Sequence, residues 1–470
     1  MRVSCRVRLF APVVALFVAL PGFANAQASA DSKANAAPAV AASAQVTIQQ
    51  PPAPSPKAPL PNRFNEVLPT WLRLRAEFRE RVEGFESSGF VADRDDSYYL
   101  SRFRFNATVT ASKLLSFQAQ VQDSRVADKS IGPTTAPFRG PFDLRLGFAQ
   151  VGTAKSPVTM QAGRIELIVD DQRLVGNLPW TNTARSWDGG HVTYTNKTFQ
   201  VDAFGASLVR SLPGEFDKSG AGNRFAGAYL QTSKVIPGVS LMPFAFWKRD
   251  VNLRSESGPL AHLSETTLGG RASGKLPAHL DYAVTMAKQV GSLGADDIDA
   301  WAGHYQIRES FPGRLAFKVT SEYNYASGDS DTRDGTRATF DQLYPTGHDK
   351  LGLSDQVGWR NINHIREGIE FSPIKATPIA VNYHSWWLAD KADGLYAASG
   401  ALVTRVAGGA RDSHVGQELD FLVNRAITPQ LQLQAGYAHV FTGAFLKQAT
   451  PGASYSYPYV MATYVFLADK

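Results

Sequence analysis

The chain has 470 residues, with 48 Lys and Arg against 42 Asp and Glu, a formal net charge of +6 and a single cysteine. So mild a basic excess is not by itself the footprint of a nucleic-acid binder. One cysteine leaves no intrachain disulfide and no thiolate cage for a metal.

The first segment reads as a secretory signal peptide, residues 1–26. Arg2, Arg6 and Arg8 form a positive start, Leu9 to Leu20 an apolar run, and Ala24-Asn25-Ala26 a small-x-small cleavage pattern. The run is shorter than the roughly 20 residues of a helical span. Cleavage before Gln27 would remove Cys5, and with it any cysteine nucleophile. It would also remove three arginines and no acid, so +6 becomes about +3. Residues 27–66 are rich in Ala, Pro, Ser and Gln, with PPAPSPKAPLP near their end. This composition predicts a disordered, polyproline-like tether.

From Trp71 onward the period is two. In WLRLRAEFRERV, Leu72, Leu74, Ala76, Phe78 and Val82 share one parity, and Arg73, Arg75, Glu77, Arg79 and Arg81 share the other. YYLSRFRFNATV, LLSFQAQVQDS and LQLQAGYAHV repeat the alternation. LMPFAFW is apolar on both parities and stays ambiguous. About eighteen such segments follow one another, with lengths near the ten or so residues of a tilted spanning strand. Aromatics such as Tyr99, Trp301, Tyr323, Trp387 and Tyr464 near strand ends suit interfacial girdles.

The connections alternate between short and long. Short ones fall near Ser112, Lys155 and Asn196 and at KVIPG, KLPAH, SFPG, SPIKAT and AITPQ. Long ones include GFESSGFVADRDD, VADKSIGPTTAPFRGP, SLPGEFDKSGAG and the stretches after Tyr325 and Ala389. Short turns on one side and long loops on the other are the pattern of a transmembrane antiparallel up-and-down β-barrel of the bacterial outer membrane, here residues 67–470. No run of eighteen uninterrupted apolar residues exists, and a closed barrel is the other structure that pairs every backbone group in lipid.

If the apolar parity faces lipid, the other parity lines a lumen. It holds Arg73, Arg75, Arg79, Arg81, Arg102, Arg104, Arg164, Arg271, Arg308 and Arg366, with Glu77, Glu166, Glu370, Glu418 and Asp420 among them. Planar guanidiniums bind carboxylates, and basic rings select anions. Arg–Glu ladders that merely fill the interior are the alternative. IVDDQRLVGNLPWTNTARSWDGG, Ile168 to Gly190, puts five charges around Leu-Pro-Trp. It is expected to fold inward and narrow the passage, or else to pack at the rim with Trp180 as its anchor. Asp329, Asp331 and Asp334 before Gly335 loosely resemble a Ca²⁺ loop, with one residue too many. No other cofactor is expected. His191, His304, His364, His384, His414 and His439 lie in no nucleophile motif, so no enzyme is expected.

GRIELIVDDQRLVGNLPWTNTARSWDG, YNYASGD, TFDQLYPTGHDKLGLSDQVGWRN and FLKQATPGASYSYPYVMATYVF together resemble the alginate export family of outer-membrane porins. The resemblance implies an eighteen-stranded monomeric barrel whose electropositive constriction passes a polyuronate outward. It puts Arg164, Glu166, Asp171, Arg173, Arg185 and Asp188 at or near that constriction. The alternation adds Arg75, Arg104, Arg366 and Glu370. The partners this implies are an anionic polysaccharide or small anionic solute, outer-membrane lipid, and periplasmic export or assembly proteins, with no nucleic acid. An uptake pore for small organic anions or uncharged nutrients, and a sealed structural barrel, are the competing readings.

Overall fold

The computed structural model describes residues 60–467 apart from Pro213 and Ser257. The signal segment and most of the tether lie outside the described residues. The tether's last residues are not irregular as expected: Leu60–Val67 form helix α1. Pro61 suits a first helical turn. Asn65 explains why the helix docks. It donates to the carbonyls of Leu74 (2.6 Å) and Leu467 (2.8 Å) and accepts from the Leu74 amide (2.9 Å).

Eighteen strands make one closed antiparallel barrel. Numbering only the strands of the wall, the first six are β1 (Leu72–Phe85), β2 (Asp96–Thr110), β3 (Leu115–Ala127), β4 (Gly140–Val151), β5 (Val158–Ile165) and β6 (Trp187–Thr195). Then come β7 (Phe199–Arg210), β8 (Arg224–Ile236), β9 (Val239–Arg254), β10 (Leu260–Leu276), β11 (Leu280–Leu293) and β12 (Asp296–Ser310). The last are β13 (Lys318–Ala326), β14 (Ile362–Ile374), β15 (Thr377–Leu388), β16 (His414–Ala426), β17 (Leu431–Thr442) and β18 (Tyr455–Phe466). The seam closes where β1 pairs with β18, from Ala76 opposite Phe466 to Glu83 opposite Tyr459. Closure leaves no edge to template aggregation or to meet lipid unpaired.

Side-chain burial confirms the alternation. On β1, Phe78 is 42% exposed and Val82 53%, whereas Arg79 is 1% and Arg81 3% exposed. Apolar side chains thus face outward to lipid, and the arginines face in. All the expected short connections lie on one side, among them 111–114, 196–198, 237–238 and 375–376. The long loops, chiefly 128–139, 166–186, 327–361 and 389–413, lie on the other. The pattern has one addition: 294–295 is a two-residue turn on the long-loop side. Gly294 makes it possible, with φ +64° at the first central position of the hairpin.

The interior is not uniformly polar. On β8 and β9 the inward residues include Phe225, Tyr229, Met242, Phe244 and Phe246, with Lys248 beyond them. That resolves LMPFAFW: Met242, Phe244 and Phe246 point in, and Trp247 points out. These side chains share one apolar cluster with Leu167, Val169, Leu174 and Val175 of loop 166–186 and with Phe340, Leu343, Tyr344, Leu353 and Trp359 of loop 327–361. Both loops therefore fold into the barrel, and burial of their apolar side chains against this half of the wall is what seats them. Val175 and Tyr344 form a parallel bridge between them.

Candidate functional site

The opposite half of the interior, β1 to β4, is basic. Arg79, Arg81, Arg102, Arg104 and Arg145 are all buried there, with Glu77, Glu83 and Glu166 as their carboxylate neighbours. Arg145 reaches the lumen through a bulge. Gln120 pairs with Leu146 and Val121 with Leu144, so Arg145 stands opposite no residue. It meets Gln120 (2.5 Å) and Glu166, which Asn177 also holds (2.8 Å).

Loop 166–186 lies across this basic wall and presents carbonyls to it. Arg79 donates to Pro179 O (2.9 Å), Thr181 O (3.1 Å) and Asn182 Oδ1 (3.3 Å). Arg81 donates to Trp180 O (2.7 Å), and Arg102 to Pro179 O (3.0 Å) and Glu77 (2.6 Å). Carbonyls satisfy the guanidinium hydrogens without cancelling their charge. Trp180 stacks on His348 of the other loop with centroids 3.8 Å apart, and the Arg81 guanidinium lies 3.9 Å over its ring. The loop folds inward and does not pack at the rim; of the rim reading only the anchoring by Trp180 remains.

At the centre the loop carries its own charges to the far wall. Asp171 pairs with Arg173 (3.3 Å) and with Arg271 of β10 (3.5 Å), which also meets Asp170 (2.9 Å). Arg173 reaches Asn324 (3.2 Å) and Glu322 (3.8 Å) on β13. Burial pushes the Asp171 carboxyl up, but Arg173, Lys350 and Arg271 together hold it well below the ordinary carboxylate range. Arg185 clamps the two loops through Gly176 O (2.8 Å), Tyr344 O (2.5 Å) and Pro345 O (3.2 Å). Burial lowers its guanidinium to about 10, so it stays charged at neutral pH.

Of the ten expected site residues, Glu166, Asp171, Arg173 and Arg185 meet at this inward-folded loop. Arg104 joins them from β2, bonded to Gln122 (2.6 Å). Arg366 lies on β14 against Asn382 (3.0 Å) and Glu322 (3.4 Å), and Glu370 holds Lys318 (2.6 Å) nearer the short-turn end. Arg75 sits nearer that end of β1, and its side chain meets no partner among the described residues.

Arg164 and Asp188 are corrections. Arg164 shares the parity of the exposed Val158 and Met160, and Asp188 that of Val192 and Tyr194. They pair with each other at 2.8 Å on the outward face. There Arg164 also holds Asp217 O (3.0 Å), and Asp188 holds Ser219 (2.5 Å), so the pair fastens loop 211–223 to the wall. They take no part in the lumen.

Arg145, Lys350 and Glu322 are functional candidates that the sequence did not single out. The bulge breaks the count that would have found Arg145. Lys350 lies in a loop, where alternation has no meaning. Glu322 is on the inward parity of β13 and was within reach of the same count that found Arg366.

The Asp-rich loop uses its acids on its own backbone. Asp329 accepts from the Asp331 amide (3.1 Å) and Asp334 from the Thr336 amide (2.7 Å). Among the described residues no three of His, Cys, Asp and Glu converge as a metal-holding group. Glu256 of loop 255–259 accepts from the Gly335 amide (3.0 Å). Burial and the facing Asp329 carboxyl push Glu256 up to about 7. The proton stabilises the contact between Glu256 and Asp329, not the bond from the Gly335 amide, which favours the ionised carboxylate; the contribution is full below the ordinary value near 4.5 and is lost as pH rises through about 7. Loop 255–259 is therefore expected to loosen against Asp329 between pH 5 and 8, read as faster limited proteolysis at 255–259, and Glu256→Gln to remove that pH dependence. A pH dependence that survives in Glu256→Gln would refute the assignment.

On the loop side of the basic wall lies a cleft of about 440 Å³, lined by Arg81, Arg94, Lys129, Trp180, Asp355 and Tyr457 among others. The interior is thus basic on one wall, aromatic on the other, and crossed by two interlocked loops.

Comparison with known proteins agrees with this architecture. The alginate export family model matches residues 70–459. No curated protein matches by sequence. Among solved structures, Pseudomonas aeruginosa OccK5 (OpdH) superimposes with a TM-score of 0.56 at 10% identity, covering 84% of this chain and 98% of that one. Acinetobacter baumannii OccAB2 gives 0.55 at 12%, with 84% and 98% covered. Pseudomonas aeruginosa OccK3 (OpdO) gives 0.57 at 11%, with 86% and 97% covered. At such identities the likeness shows the fold alone. With the family match over nearly the whole barrel, the chain belongs to the alginate export family and is a β-barrel channel of the bacterial outer membrane.

Proposed function

We propose that this channel passes anionic solutes by passive diffusion, with an alginate-like polyuronate as its foremost substrate and no catalytic role. The carrying observation is the charge imbalance of the β1–β4 wall, where Arg79, Arg81, Arg102, Arg104 and Arg145 outnumber Glu77, Glu83 and Asp143 even with Glu166 of the adjoining loop added. A uronate chain brings one carboxylate per residue. A row of guanidiniums lowers the barrier to each in turn, and the interspersed acids keep any one site from holding too tightly. Arg75 toward the short-turn side and the cleft bearing Arg81, Arg94 and Lys129 on the loop side extend the basic track to both mouths. Without an energy source the direction of net flow follows the gradient.

The test is planar-bilayer conductance of the refolded barrel under a KCl gradient, with oligouronate then added. The expected result is an anion-selective current that oligouronate blocks. Arg75→Ala should weaken the block several-fold without changing the fold, since that side chain supports nothing else. Open current indifferent to uronates would replace the polyuronate reading with a general nutrient pore.

A further inference from the structure

The outward face of the barrel holds a second basic feature that the transport reading does not use. On antiparallel β8 and β9, Arg224 and Arg249 stand directly opposite each other. Both are exposed, on the parity of Ala226, Ala228 and Trp247, and so on the outer surface. Like charges placed directly across a ladder repel and destabilise it. Two other cations on this surface face an acid: Arg164 has Asp188, and Lys288 has Asp299. Arg224 has only neutral partners, Ser207 Oγ (2.7 Å) and Asn223 O (2.9 Å), and Arg249 has none among the described residues. The neighbouring acid, Asp250, falls on the other parity and accepts from Asn223 (3.3 Å).

Height on the wall identifies what can meet them. Trp247 lies two residues toward the short-turn side from Arg249, is exposed, and donates to Ser264 at 3.2 Å. An exposed Trp at this end of a barrel strand marks the outer hydrocarbon boundary. Arg224 and Arg249 are one strand step beyond it, at the level of the phosphates of outer-leaflet glycolipid. Two adjacent guanidiniums offer forked donors that match a phosphate's oxygens, and an anion between them turns their repulsion into attraction.

We propose that Arg224 and Arg249 form a site for the phosphate of an outer-leaflet glycolipid, seated on the wall with its acyl chains below Trp247. The probes are bis-phosphorylated lipid A, the same lipid A dephosphorylated, and inorganic phosphate. The protein is the full chain in nanodiscs, with retained lipid read by native mass spectrometry. Wild type is expected to retain the phosphorylated form, and Arg224→Gln with Arg249→Gln to lower retention at least tenfold. Arg249→Gln alone is expected to lower it several-fold, and it disturbs no protein contact if the double variant fails to fold. Lys288→Gln, away from the pair, should leave retention unchanged. Equal retention by the Arg249 variant, or equal retention of dephosphorylated lipid A, would overturn the proposal. Displacement of lipid A by equimolar inorganic phosphate would overturn the glycolipid and leave a free-anion site.

Discussion

Arg79→Met is expected to free loop 166–186 from the basic wall and to raise single-channel conductance. The side chain donates to Pro179 O, Thr181 O and Asn182 Oδ1. Hydrogen bonds from a charged donor contribute about 1.5–3 kcal/mol each. Arg102 still serves Pro179 O and Thr181 O, so part of that is retained. Removing one cation also relieves repulsion among Arg79, Arg81 and Arg102. A net loss of about 2 kcal/mol is reasonable, which is about thirtyfold in the population of the displaced loop. Bilayer recordings should show larger and noisier current with weaker anion preference. Limited proteolysis at Asn177–Asn182 should speed up in parallel. Arg79→Lys separates the causes: it keeps the charge but loses the fork, so selectivity should persist while the noise rises. A quiet Arg79→Met channel with wild-type conductance would show that the apolar cluster alone seats the loop.

Arg173→Met should be the most destabilising single change in the interior. Arg173 is 3% exposed and sits between Asp171 and Glu322, with Asn324 as its third partner. Breaking a buried pair from one side costs about 3–5 kcal/mol, because the other charge stays buried without it. Arg271 still serves Asp171 and Arg366 still serves Glu322, which places this case near the lower end. Urea unfolding in lipid vesicles, followed by tryptophan fluorescence, measures the loss. Adding Glu322→Gln to Arg173→Met should restore part of the stability, since the carboxylate left behind is then neutral. An Arg173→Met variant within about 1 kcal/mol of wild type would mean that water replaces the guanidinium at this depth.

Much of the wall is legible in the residues alone. Period two in segments such as Leu72–Val82 requires strands, and the alternation of short and long connections orients them. The same count placed Arg75, Arg104 and Arg366 inward correctly. Arg164, placed in the lumen by the same reading, is its failure: it shares the outward parity of the exposed Val158 and Met160 on β5. Arg145 could not be found this way, because a one-residue bulge resets the count within β4. The helix at 60–67 was hidden because its stabilisation comes from Asn65 binding backbone groups of Leu74 and Leu467, the latter some four hundred residues along the chain.

What the sequence determined by itself is the class of structure. Backbone groups must pair in lipid, and side chains alternate along a strand, so a two-residue pattern of sufficient length has one spanning solution. What only the tertiary structure decided is how the interior is divided. Val175 meets Tyr344, Arg79 meets Pro179, and Asp171 meets Arg271, each across a wide gap in sequence. No local period carries that information. It arises when closure of the barrel brings an aromatic half-wall and a basic half-wall to face each other, and two loops bury their apolar side chains on one while loop 166–186 gives its carbonyls to the other.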